Sequence, residues 1–249
     1  MKLRAVFLLI WVLVGAGCGG DSSGNASTRE TLSVFAAASL TDVFEELATE
    51  FQRRNSAIEM SFVFGSSSDL VTQLEQGARG GVFASADTAN MDRAVDAGLV
   101  NGDPQLFARN ELEIIVPPDN PGAVEELADL TNDDLVVAIC GPECPAGRYA
   151  LEVFDNAGLS VAPDSFESDV RGVVTRVALG EADAGIAYVT DTAASSGDVV
   201  GVPIPADVGV VAEYPIAALS DAEAAGRWID FVLSAEGQQV LRRYGFRSP

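Results

Sequence analysis

Short apolar segments typical of β-strands alternate along this chain with segments that have the apolar periodicity of helices. The strand segments are residues 33–36, 58–64, 82–86, 112–116, 135–140 and 185–189. Helical segments separate them, with apolar stripes at residues 40–51 and 170–177. Helices are also predicted at 91–97 and 148–157, and residues 221–244 are predicted to form one or two closing helices. This alternation predicts parallel sheets covered by helices. The roughly 220 residues after the N-terminal segment are enough for two α/β lobes or one large domain.

Two of the strand segments end in a turn of small residues that includes serine. The first runs from Val34 through three alanines to Ser39, and the second ends at Gly65 and is followed by three serines, 66–68. A helix is predicted to begin directly after each turn. Because a helix N-terminus has free backbone N–H groups and about half a positive charge, two such ends with hydroxyl groups can hold a small oxyanion. Helix capping alone also explains either segment taken singly.

Residues 1–17 have the features of a signal peptide, with a basic start followed by an apolar run, 5–14. This run is shorter than the roughly 20 apolar residues that a membrane-spanning helix needs. Three small residues then lead to Cys18, which resembles a lipoprotein signal, and residues 18–30 are interpreted as a lipidated cysteine and a flexible tether. We expect an extracytoplasmic domain, either anchored to the cell membrane by lipid or periplasmic. The alternative is a secreted protein that is cut at another site.

Residue types that are missing restrict the chemistry of this chain. It has no histidine, and Lys2 is its only lysine, so without residues 1–17 it offers no imidazole base, Schiff-base lysine or phosphate-loop lysine. Ser-His-Asp catalysis is excluded, and the 37 acidic residues suggest no particular pair for carboxylate-based hydrolysis. The net charge of −22 argues against nucleic acid and anionic lipid head groups as partners. These features favour a binding protein over an enzyme, and we expect no cofactor.

Cys140 and Cys144 remain once Cys18 is assigned to a lipid. They lie in a short turn that contains glycine and proline, where an oxidising compartment would allow a disulfide. Two thiols alone do not make a zinc site. The sequence leaves open whether the two cysteines are bonded.

Eight motifs between Leu32 and Phe246 together resemble the extracytoplasmic molybdate-binding proteins of ABC importers. In order they are VFAAASLTDVFEELA from Val34, FGSSSDL from Phe64, FASAD from Phe83, CPAGRYA from Cys144, DVRG from Asp169, GIAYVTD from Gly185, EYPIA from Glu213 and RRYGF from Arg242. Each motif is weak alone, but the set in this order and spacing is highly specific. The resemblance implies binding of molybdate, and also of tungstate, and it favours ligand binding over capping for both serine segments.

The resemblance also implies which residues hold the ligand. In the family, two serines, two backbone amides and a tyrosine donate hydrogen bonds to the oxyanion. The matching positions are Ser39, Ser67, Ala146, Val170 and Tyr188. Four of the five lie at predicted helix starts, which suits an anion site without charged side chains. Molybdenum would therefore enter only as the bound oxyanion, with no direct protein ligand to the metal.

Two positions near the implied site raise separate questions. Gly81 stands where the family usually has an aspartate, which affects a supporting hydrogen bond but not the ligand set. Arg171, which follows Val170, is either a charge behind the site or an ordinary surface arginine.

The fold that the resemblance implies is a two-lobed α/β structure of the type II periplasmic-binding-protein class. Two crossover strands would join the lobes, and the ligand would lie in the cleft between them. Lobe 1 would consist of residues 29–108 and 212–249, and lobe 2 of residues 109–211. We expect a monomeric receptor that closes by hinge motion and delivers its ligand to a membrane permease.

Two other functions stay open from the sequence. The first is a receptor for a different anion, such as sulfate or an organic anion. The second is an exported carboxylate-dependent hydrolase, which would need a pair of acidic residues close together in the cleft.

Overall fold

The computed structural model describes residues 29–249 of the chain. The predicted signal peptide, the predicted lipidation site Cys18 and the predicted tether as far as residue 28 lie outside the described residues. Strand β1 (Glu30–Ala37) begins almost at once, so Glu30, the last residue assigned to the tether, already belongs to a sheet. Within residues 29–249, no helix combines the length and apolar character needed to cross a bilayer.

The first lobe is built on a sheet with the strand order β2-β1-β3-β9-β4. Strand β1 pairs in parallel with β2 and β3, and β9 returns antiparallel to β3. The further strands are β2 (Ile58–Gly65), β3 (Val82–Ala84), β4 (Asn101–Val116) and β9 (Val211–Ala218). The helices of this lobe are α1 (Thr41–Arg54), α2 (Ser67–Glu75), α3 (Thr88–Asp96), α7 (Glu223–Leu233) and α8 (Ala235–Arg243). A short 3-10 turn, Ala38–Leu40, joins β1 to α1.

The second lobe continues from the same strand β4, in the order β4-β7-β5-β6, with β8 on its other edge. Its strands are β5 (Val137–Cys140), β6 (Ser165–Glu167), β7 (Ala184–Tyr188) and β8 (Val200–Pro203). Its helices are α4 (Pro145–Asn156), α5 (Val170–Ala178) and α6 (Val189–Ala194), with a 3-10 helix at Leu127–Thr131.

Strands β4 and β9 connect the two lobes. The first part of β4 pairs with β9, where Arg109 lies opposite Glu213. The second part pairs with β7 and β8, where Ile114 lies opposite both Ile186 and Val202. The predicted two-lobed α/β fold with two crossover strands is thus confirmed. The lobe boundaries stay a prediction.

Aromatic packing fixes the helix that follows the first serine turn. The predicted apolar stripe of α1 is buried, including Phe44 and Phe51. Both rings pack nearly perpendicular to the Trp228 ring of α7, with centroids 5.5 and 5.3 Å away. Such edge-to-face pairs add about 0.5–1.5 kcal/mol each beyond the area they bury. The start of α1, and the turn with Ser39 ahead of it, are therefore held by the core.

Strand β4 is the largest difference from the predicted elements. The apolar pattern predicts a strand only at residues 112–116, but β4 is 16 residues long. Its first part contains Gly102, Pro104 and several polar residues, which weaken the strand signal. This part is extended because it pairs with β9 between the lobes, so a long-range partner overrides local propensity. Helices α3 and α4 also begin three residues earlier than predicted, at Thr88 and Pro145.

Candidate functional site

The five residues of the predicted ligand set line one pocket between the lobes. Ser39 lies in the turn before α1, and Ser67 is the first residue of α2. Ala146 and Val170 lie at the starts of α4 and α5, and Tyr188 ends β7 directly before α6. The cavity measures about 10 Å³, counted as the space open to the centre of a water molecule. Drug-sized ligands occupy pockets of roughly 300–1,000 Å³, so this cavity suits only a small ion.

Helix N-termini from both lobes converge on this pocket. Among the described residues, no side chain caps the first turn of α2 or of α4, whose N-cap residues are Ser66 and Cys144. The first N–H groups of these helices therefore lack a side-chain acceptor and can donate to a ligand. Each N-terminus also adds about half a positive charge, so the pocket attracts an anion without a lysine or arginine in its wall.

The hydroxyl of Ser67 can act as a donor to a ligand. Ser67 is completely buried, and its Oγ accepts a hydrogen bond from the backbone N–H of Ala86 at 3.0 Å. A backbone N–H can only donate, so one acceptor position of the hydroxyl is already used. Its proton is free to point into the pocket.

The hydroxyl of Ser39 touches a second buried side chain. Its Oγ lies 3.0 Å from the hydroxyl oxygen of Tyr214 on β9. The amide nitrogen of Asn110 on β4 approaches the same Tyr214 oxygen at 3.5 Å. A chain of polar groups thus leads from the two crossover strands to a wall of the pocket.

Tyr188 carries a buried hydroxyl that has no hydrogen-bond partner among the described residues. The side chain is only 1% exposed. Burial raises the pKa of this phenol well above its ordinary value, so it stays protonated and can donate a hydrogen bond. A buried polar group without a partner destabilises the protein, and in a ligand pocket the natural partner is the ligand.

Two arginines of the second lobe form ion pairs with carboxylates of the first lobe across the pocket. Arg148 of α4 binds Asp87, a fully buried carboxylate that also caps α3 by accepting from the N–H of Asn90 at 2.9 Å. Arg171 of α5 binds Asp42 of α1 at 2.7 Å. Arg171 is an exposed residue of helix α5, as in the surface alternative, and its ion pair also links α5 to α1.

The disulfide that the sequence left open is formed, and it holds one of the converging helices. Cys140 ends β5, Cys144 is the N-cap of α4, and their Cα atoms are 6.0 Å apart. Just inside the helix, a Cβ atom on Gly147 would collide with the carbonyl oxygens of Cys140 and Gly141. The start of α4, which includes Ala146, is thus pressed against the end of β5 and linked to it covalently.

The structure explains why this chain has Gly81 at the position that departs from the family pattern. A Cβ atom there would run into the side chain of Leu32, which is buried in β1. Leu32 fills the space that an aspartate side chain would need. This change is outside the residues that line the pocket.

Sequence reasoning missed Asn110, Tyr214 and the pair of Asp87 with Arg148 as parts of the site. Tyr214, Asp87 and Arg148 each lie within a motif quoted above, namely EYPIA, FASAD and CPAGRYA. These three residues therefore belong to segments that resemble the family. Their contacts could not be predicted, because the residue that each one contacts is far away in the chain. Asn110 lies in a polar stretch that gives no signal of its own.

Known proteins resemble this chain along most of its length. The family model described as bacterial extracellular solute-binding protein matches residues 32–247. The chain is 38% identical to the molybdate-binding protein ModA of Mycobacterium tuberculosis, over 97% of this chain and 95% of that protein. It is 32% identical to ModA of Escherichia coli, over 94% and 96% of the two chains.

A solved structure has the same fold. The periplasmic molybdate-binding protein of Azotobacter vinelandii superposes with a TM-score of 0.76 at 21% identity, covering 88% of this chain and 99% of that one. The chain therefore belongs to the bacterial extracellular solute-binding proteins and, among them, to the family of the ModA proteins.

Proposed function

We propose that this protein binds molybdate outside the cytoplasm, accepts tungstate at the same site, and delivers the ion to the permease of an ABC importer. The observation that carries the proposal is the buried, unpartnered hydroxyl of Tyr188 in a pocket lined by Ser39 and Ser67. The relatives named as molybdate-binding proteins give the ion its identity. The ligand donors are Ser39, Ser67, Tyr188 and the backbone amides of Ala146 and Val170.

Selection of the ion follows from the chemistry of these donors. Hydroxyl and amide protons replace the hydration shell of a fully deprotonated oxyanion, and each charge-assisted bond is stronger than a neutral one. Hydrogen phosphate carries a proton that needs an acceptor. Of the described residues that line the pocket, Asp169 alone is charged. One oxygen of its carboxylate caps α5 by accepting from the N–H of Gly172 at 3.1 Å. Selection against hydrogen phosphate therefore depends on the hydroxyl and amide donors outnumbering this one carboxylate. Sulfate is smaller, so a cage spaced for molybdate does not close on it.

Delivery requires that the lobes open and close by a hinge motion at strands β4 and β9. Residues of both lobes line the pocket, so the ion would be enclosed only when the lobes are together. The ion pairs of Arg148 and Arg171 would support this closed arrangement. The protein acts as a monomer, and its partners are the oxyanion and the membrane permease.

Calorimetric titration of residues 29–249 with molybdate, tungstate, sulfate and phosphate tests the proposed function. We expect tight binding of the first two ions and little heat from the others. Because molybdate binds only the folded protein, it should also stabilise it by about 2.7 kcal/mol at a hundredfold excess over the dissociation constant, seen as a higher melting temperature. An equal rise of the melting temperature with phosphate would contradict the proposal that the hydrogen-bond donors select against hydrogen phosphate. A response to sulfate alone would identify a sulfate receptor, and turnover of a substrate would identify a hydrolase.

The proposed lipid anchor is tested by Cys18→Ser in the full chain. We expect the variant to move from the membrane fraction to the soluble fraction, because a lipid at Cys18 would be its attachment to the bilayer. Cell fractionation with detection by antibody measures this, and the unaltered chain is the control. Retention of the variant in the membrane fraction would show that another segment is the anchor.

A further inference from the structure

The two serine hydroxyls of the pocket are each in contact with a further group of the protein, but the two groups differ in kind. Ser67 accepts from the backbone N–H of Ala86, which can only donate. Ser39 contacts the hydroxyl of Tyr214, which can either donate or accept. The direction of the Ser39 hydrogen bond therefore depends on what else surrounds Tyr214.

Asn110 fixes that direction. Its side-chain oxygen accepts from the backbone N–H of Glu111 at 3.0 Å, so the other end of the amide must be the NH₂ group. One proton of this group points to the hydroxyl oxygen of Thr190 at 2.8 Å, and the same nitrogen approaches the oxygen of Tyr214 at 3.5 Å. Tyr214 thus faces a donor on this side. The Tyr188 hydroxyl beside it has no hydrogen-bond partner among the described residues, so the Tyr214 proton is left for Ser39.

The surroundings of Tyr214 exclude water from this chain of bonds. Tyr214 is fully buried and Asn110 is 1% exposed. The rings of Phe107, Tyr188 and Phe246 pack against Tyr214, with centroids 5.5 to 6.2 Å away. In such surroundings a lost hydrogen bond is not replaced by solvent, so the direction of each bond is retained.

We propose that Tyr214 is a specificity-determining residue that holds Ser39 as a donor and so makes the pocket reject protonated oxyanions such as hydrogen phosphate. The order of bonds is Asn110 N–H to Tyr214, Tyr214 O–H to Ser39, and Ser39 O–H to the ligand. With one acceptor position taken by Tyr214 and its own proton aimed into the pocket, Ser39 offers hydrogen phosphate a donor and not an acceptor. This inference rests on the proposed function, because it concerns the ligand preference of the same pocket.

Tyr214→Phe keeps the ring and removes only the hydroxyl. We expect molybdate to bind more weakly and hydrogen phosphate to bind more strongly, because Ser39 can then turn and accept. The measured quantity is the ratio of the molybdate and phosphate association constants from calorimetry, and it should fall at least tenfold. Tyr244→Phe is the matched control, since the Tyr244 hydroxyl donates to Glu46 at 2.8 Å and lies outside the pocket lining.

The outcomes separate this inference from the proposed function. If the unaltered protein binds no oxyanion, the proposed function fails before Tyr214 is tested. If it binds molybdate and Tyr214→Phe leaves the ratio unchanged, even with both affinities lowered, the role of Tyr214 is refuted. Asn110→Ala is a second variant in case Tyr214→Phe does not fold, because it frees the direction of the Tyr214 hydroxyl. It should lower the same ratio, and an unchanged ratio would again refute the proposal.

Discussion

Replacing Ser39 and Ser67 together by alanine is expected to weaken molybdate binding by about two to four orders of magnitude. Each substitution removes a hydrogen bond to a charged group, which contributes about 1.5–3 kcal/mol. The loss is large because the ion is surrounded by protein, so no water replaces the missing donors. Calorimetry on the double variant and on each single variant measures the effect.

Ser68→Ala is the matched control for this experiment. Ser68 belongs to the same turn and contacts the hydroxyl of Ser66 at 2.8 Å, but it is outside the pocket lining. Its replacement should change the affinity little. An affinity that survives the double substitution would remove both serines from the ligand set.

Gly147→Ala is expected to reduce both stability and molybdate affinity strongly. The added Cβ would collide with the carbonyl oxygens of Cys140 and Gly141, and the disulfide prevents the start of α4 from moving away freely. Overpacking of this kind costs up to about 3 kcal/mol of unfolding free energy, and any movement displaces the amide of Ala146. Urea unfolding and calorimetry on the same variant measure the two effects.

Gly226→Ala in α7 is the control for the change from glycine to alanine. A Cβ atom there would meet nothing within 4 Å, so the variant should be slightly more stable, by about 0.4–1 kcal/mol. If Gly147→Ala behaves in the same way, the contact between α4 and the end of β5 does not restrain the site.

Much of the fold could be predicted because its signals are local. Apolar periodicity identifies α1 and α5, and small residues before a helix mark the turns with Ser39 and Ser67. The amides of Ala146 and Val170 were implied by the resemblance, and both lie at or near predicted helix starts. Tyr188 was identified only by the resemblance, since a tyrosine at a strand end has no distinctive pattern.

The rest could not be predicted because it depends on contacts between distant segments. Tyr214 meets Ser39 across 175 positions of the chain, and Arg148 meets Asp87 across 61. The apolar periodicity of one segment does not indicate which distant residue its side chains contact. The same holds for the first part of β4, which is a strand because β9 lies beside it. The disulfide needed the distance between Cys140 and Cys144, which spacing in the sequence does not supply.

The unequal burial of the two interlobe ion pairs has a consequence for release of the ion. Arg171 and Asp42 are both solvent-exposed, so their separation changes the free energy little. Asp87 is fully buried, and loss of Arg148 alone would leave a carboxylate without its counter-charge and without water. Opening the lobes would separate this pair, and this costs more free energy than separating Arg171 from Asp42. We therefore expect the ion to be released in one all-or-none opening of the lobes at the permease. Slow dissociation of the ion from the closed protein should be negligible.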